Sequence, residues 1–206
     1  MEVLSNPRPR AWAHKLSLPG DTLGARPISE PVTPVIERLL ERISARLPCR
    51  LIDGEGGEPY LERYYLAGAL GWHAYLHRFV DSDPDRGLHD HPWGQALSLV
   101  LTGGYDEIRG ESGKPERTSV RFVRPWRVNR LRGEDYHRVL LRGGRSAWTL
   151  FLHGPRIKGW GFLQNGVYRS MARDSAEFRH KDWWTSAPTG AVIRAGALKP
   201  QTHAGK

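Results

Sequence analysis

With 206 residues, 39% of them hydrophobic, the chain is long enough to bury a sizeable core, and no apolar run approaches the roughly 20 residues that a membrane-spanning helix requires. A single cysteine, Cys49, excludes an intramolecular disulfide and any cysteine-based zinc cluster. The formal net charge of +9 admits anionic partners, but the arginines are spread along the chain at spacings that suit the polar faces of strands, which does not favour nucleic acid.

Residues 1–33 contain Pro7, Pro9, Pro19, Pro27 and Pro31 with no sustained periodicity, so an irregular arm is expected there. The first residues lack the apolar core of a signal peptide, and a cytoplasmic protein is expected. Thr33 as N-cap and Pro34 as first helical residue then open a stretch in which Ile36, Leu39, Leu40, Ile43 and Leu47 recur every three or four positions. The pattern predicts an amphipathic helix over 34–48, ended by Pro48 and packed outside a sheet through Ile36, Leu39, Leu40 and Ile43.

From residue 49 the period drops to two. Strands are predicted at 49–53, 60–67, 72–80, 95–101, 104–109, 118–123, 127–131, 136–142, 146–153 and 160–164, separated by Gly, Pro or Asp turns. Many short strands with regular turns make 49–170 an all-β sandwich or barrel. Residues 171–206 are read as a C-terminal extension, partly disordered, in which 174–184 form a short helix that lays Trp183 and Trp184 over a sheet edge.

The stretch around which the barrel is organised is Leu88-His89-Asp90-His91-Pro92-Trp93-Gly94-Gln95, followed by an apolar strand and the turn Thr102-Gly103-Gly104. Side chains alternate along a strand, so His89 and His91 project to one side and can share a metal ion. His137, on another strand, is the best placed third ligand, and neutral imidazole suits Fe, Ni, Cu and Zn. If Gly143 and Gly144 close a hairpin, His137 lies opposite Leu150, which turns His153 outward. In 72–80 one face carries His73, Tyr75, His77 and Phe79, the other Trp72, Ala74, Leu76 and Arg78. If the first looks inward, Tyr75 and His77 stand near the metal; if the second, Arg78 anchors an anionic substrate. In 154–162, Arg156 and Trp160 are candidates to clamp a ligand by charge and stacking. The acidic run 81–85 lacks the spacing of a calcium loop and is read as a turn.

An HxH pair, an apolar strand, a glycine turn and a further histidine downstream resemble the cupin superfamily over roughly residues 60–165. Asp83 stands where a glycine is usual, with Pro84 and Gly87 nearby. Gln95, or Ala96 by the other count, stands where a Glu is usual. The turn before His137 keeps Gly133 without the usual proline. The resemblance implies a cupin-type double-stranded β-helix, or jelly-roll barrel, holding one divalent ion on three histidines, similar to thiol dioxygenases. Fe(2+) is the first choice of ion, with Ni(2+), Zn(2+) or Mn(2+) as others. It implies a mononuclear dioxygenase for a small anionic organic substrate, with Tyr75 or Gln95 positioning substrate or oxygen and His77, Arg78, Arg156 and Trp160 binding substrate. A non-catalytic binder or scaffold and an isomerase or epimerase are the rival readings, and a homodimer is left open.

Overall fold

In the computed structural model, which describes residues 33–54, 57–171 and 182–197, the period-two pattern becomes twelve strands. These are β1 (Cys49–Asp53), β2 (Pro59–Ala69), β3 (Trp72–Phe79), β4 (Leu88–His89), β5 (Gln95–Thr102), β6 (Tyr105–Glu111), β7 (Lys114–Val123), β8 (Val128–Arg132), β9 (His137–Leu141), β10 (Ala147–His153), β11 (Gly161–Gln164) and β12 (Val167–Ser170). They pair antiparallel into two six-stranded sheets, ordered β1-β2-β3-β10-β5-β8 and β12-β11-β4-β9-β6-β7. This is a jelly-roll topology, with sequence neighbours repeatedly placed in opposite sheets. Apolar clusters such as Val100, Tyr105, Val123, Val139 and Ala147 fill the space between them.

The expected hairpin at Gly143 and Gly144 does not form. β9 pairs with β4 and β6, whereas β10 pairs with β3 and β5, so the chain crosses here from one sheet to the other. Two neighbours bury both edges of β10, which a hairpin with β9 alone would not do. His153 is therefore turned inward, and Leu150 lies outward at 40% exposure. The very short β4 and the late β12 carry too few alternations to show in the sequence.

Outside the first sheet lies helix α1 (Thr33–Ser44). Leu40 joins Cys49, Tyr64, Leu76 and Trp148 in a buried cluster, with Ile36 packed against it. Leu39 and Ile43, expected to share that face, are 55% and 42% exposed. The helix stops at Ser44, before Leu47 and Pro48, and the remaining cover comes from a second helix, α2 (Gly190–Ala197), in the segment read from sequence as a partly disordered extension. A Cβ on Gly190 would lie 2.4 Å from the Ser44 carbonyl, so glycine lets the two helices meet. Arg194 then donates to the Tyr64 hydroxyl at 2.8 Å and to Ser44 Oγ at 3.2 Å.

Of the extension, 172–181 and 198–206 lie outside the described residues, as does the N-terminal arm to residue 32. Trp183–Thr185 form a single 3-10 turn. Among the described residues no helix is long and apolar enough to cross a membrane.

Candidate metal centre

Two residues suffice for β4 because both are paired: His89 faces Phe162 of β11 on one side and His137 of β9 on the other. Gly87 feeds this strand with φ +93°, a conformation other residues rarely adopt, and a Cβ there would lie 2.2 Å from the Leu163 carbonyl. The middle residue of the HxH triplet, Asp90, points the other way. It accepts the Gly161 amide at 2.6 Å and pairs with Lys158, which ties the following loop to β11. His91 is placed beyond the strand by its amide bond to the Gly133 carbonyl, and a Cβ at Gly133 would press within 2.5 Å of the Trp93 carbonyl. The glycine retained before His137 is thus a point of close backbone approach.

One nitrogen from each of His89, His91 and His137 lies within 4.8 Å of the others, the geometry of a group that could hold a metal ion. His91 Nε2 and His137 Nε2 are 2.8 Å apart. Two nitrogens bound at right angles to one ion, each at about 2.0–2.1 Å, would be separated by roughly 2.9 Å. The protonation states agree with ligation. His137 Nδ1 is 2.8 Å from Glu107 Oε1, and a carboxylate only accepts, so Nδ1 carries the hydrogen and Nε2 presents its lone pair. Burial, then the neighbouring histidines, holds the imidazoles of His89 and His91 well below the usual histidine range, in the neutral form that binds metal.

Glu107 is fully buried on the inward face of β6. Its carboxylate accepts from Asn129 Nδ2 at 2.7 Å and from Arg121 Nε at 2.7 Å besides His137. Burial alone would raise its pKa, but the hydrogen bonds from His137 and Asn129 and the charge of Arg109 hold it below the usual carboxylate range. Asp83, in place of the usual glycine, accepts the Val139 amide at 2.8 Å and lies 3.8 Å from His89 Nδ1.

The three histidines face a cavity of about 830 Å3 between the sheets. Tyr75 and His77 line it, because the His73, Tyr75, His77, Phe79 side of β3 is the inward one, and Arg156 and Trp160 line it from the segment between β10 and β11. His77 is buried and accepts from Arg63 Nε at 3.1 Å.

Two expected site residues are elsewhere. Arg78 alternates onto the outer face of β3, 3.4 Å from Glu62 and over the Trp148 ring at 5.5 Å. Gln95 is exposed, because β5 turns Ala96, Ser98, Val100 and Thr102 inward and Gln95, Leu97 and Leu99 to the other side. Neither lines the cavity.

Sequence reasoning missed Glu107. Trp93 continues the alternation of His89 and His91, and its ring stacks on His91 (centroids 5.0 Å) and on His153 (4.3 Å). Glu107 was visible as a carboxylate sharing a strand face with Tyr105.

No protein-family model and no curated protein matches this chain in sequence. Among solved structures it is similar to iron(II) HppE (14% identity, 52% of this chain, 56% of that chain, TM-score 0.42), so the match spans little more than half of HppE. It is also similar to a cupin-2 domain from Rhodospirillum rubrum (14% identity, 58% and 76% of the two chains, TM-score 0.46). A third is a double-stranded β-helix protein from Klebsiella pneumoniae (13% identity, 56% and 91%, TM-score 0.41). Cupin and double-stranded β-helix proteins are thus among its structural neighbours, and the chain's own sheets and histidine cluster define a jelly-roll barrel with a candidate three-histidine metal centre.

Proposed function

We propose that the protein binds one divalent metal ion, iron(II) as first choice, through His89, His91 and His137, and acts as a dioxygenase on a small anionic organic molecule. The observation that carries this reading is that three imidazole nitrogens converge at the wall of a cavity with no carboxylate among them. Bound iron(II) would supply redox chemistry and open coordination positions for O2 and substrate.

The chain's own residues do the rest. Glu107 orients His137, and Trp93 packs flat against His91, so both rings are held before any ligand arrives. Without a carboxylate ligand the ion keeps its full double positive charge, and Arg63, Arg86 and Arg156 also line the cavity. Both features favour an anion. Burial raises the Tyr75 phenol, which therefore stays protonated at neutral pH and is able to donate a hydrogen bond to substrate.

A second reading, a binder without turnover, is favoured by how much of the cavity wall consists of mutually stacked rings. Metal analysis of protein purified without a nickel column, then O2 consumption with small carboxylates and thiols, separates the two. About one iron per chain and substrate-dependent O2 uptake support the enzyme. One ion with no uptake leaves the binder, and full metal content in the His89→Ala, His91→Ala double variant overturns both.

A further inference from the structure

Glu107 faces two ways. Oxygen Oε1 accepts from His137 Nδ1 at 2.8 Å and from Asn129 Nδ2 at 2.7 Å, whereas Oε2 accepts from Arg121 Nε at 2.7 Å. Arg121 stands directly opposite Glu107 in the pairing of β6 with β7, and its Nη2 also donates to Asn129 Oδ1. Asn129 belongs to β8, the last strand of one sheet, and Arg121 to β7, the last strand of the other. The network therefore joins the two sheets at their edges and ends on a candidate metal ligand.

The partners of Glu107 are unequal in charge. A histidine that binds metal through Nε2 is neutral, so its Nδ1 brings a hydrogen bond and no charge, and Asn129 brings none either. Arg109 stands farther off, with Nε at 4.0 Å, and pairs with Asp135 at 3.2 Å. Arg121 is thus the cation in direct contact with a carboxylate that is 0% exposed, and it reaches in from the rim, its own side chain 47% exposed. A buried carboxylate without a counter-charge is costly, so Arg121 stabilises the centre when it is empty.

With a divalent ion on Nε2 the balance changes. The ion makes the ring Nδ1–H more acidic, and the carboxylate that receives this hydrogen raises the basicity of the ligand in proportion to its own negative charge. Arg121 draws on that same charge from the opposite oxygen. We propose that Arg121 is a positioning residue that keeps the empty centre in shape and, acting through Glu107, loosens its hold on the metal, which makes the ion exchangeable. The inference rests on the reading of His89, His91 and His137 as the ligands.

Competition of the full chain with a coloured chelator for Zn(2+) and Co(2+), together with melting temperatures with and without the metal, tests it. Arg121→Met preserves length and removes the charge. Its metal-free melting temperature is expected to fall while its metal affinity rises about tenfold, the lower end of the range for groups that support a ligand. The gain in melting temperature on adding metal is then larger than in the parent. Arg121→Lys keeps the charge and returns the affinity to that of the parent. An arginine with a structural role alone would lower affinity and melting temperature together. Equal or weaker metal binding in Arg121→Met overturns the inference, as does an Arg121→Lys chain that binds as tightly as Arg121→Met. If Arg121→Met does not fold without metal, it is expected to fold when zinc is present during refolding, and a chain that stays unfolded with zinc overturns the inference as well. A parent that takes up no metal, or a His89→Ala, His91→Ala variant that binds as tightly as the parent, overturns the metal reading itself and this inference with it.

Discussion

Glu107 sets the lone pair of His137 without itself being one of the three converging donors. Partners that orient a ligand in this way typically change metal affinity ten- to a hundredfold when altered. Glu107→Gln, close in shape but uncharged, is therefore expected to weaken metal binding by that factor while the barrel stays folded, and competition with a coloured chelator checks it. His77 and His153 give the molecule a pH limit. Both are held neutral in the folded state, His153 down to about 4, whereas the unfolded chain takes up a proton at each below about 6.5. Their contribution to stability is complete above pH 6.5 and is lost as pH falls from 6.5 towards 4. Melting temperatures across that window should fall, and more steeply in the parent than in His153→Phe, which lacks one of the depressed imidazoles.

Among the elements, α1 separates burial from mere amphipathicity. Leu40 is 8% exposed against Tyr64 and Trp148, while its neighbour Leu39 is 55% exposed. Leu40→Ala should cost about 2–5 kcal/mol and Leu39→Ala no more than about 0.5 kcal/mol in urea unfolding. Equal losses would mean that Leu39 is covered in solution. The sequence pattern could not make this distinction, because a helix presents five apolar residues whether one or two neighbours receive them. What decides is α2, whose Gly190 and Arg194 act through contacts with Ser44 and Tyr64 that no local signal announces. The strands were legible where several alternations accumulate, as in β3, β5 and β10. They were not legible in β4, a two-residue strand in which His89 is held by neighbours on both sides. The histidine cluster was readable because His89 and His91 follow the local period. The positions of Gln95, Arg78 and His153 depended instead on which face of a strand turns inward and which strands pair, and that is settled by tertiary contacts.

At the scale of the whole molecule, the pairing of β4 with β9 means that His89 and His91 are neighbours even in an unfolded chain, whereas His137 joins them only when the second sheet forms. Because the chain passes between sheets at Gly143 and Gly144, that sheet draws together segments far apart in sequence. Closing such loops is entropically slow, and topologies dominated by distant pairings refold in milliseconds to seconds. On the proposed reading, tight metal capture becomes a clock for barrel closure. Stopped-flow refolding in the presence of Co(2+), with its visible absorption followed beside tryptophan fluorescence, should give one shared rate constant that does not change with cobalt concentration. A capture rate rising in proportion to cobalt would mean that the three imidazoles meet before the strands that carry them have paired.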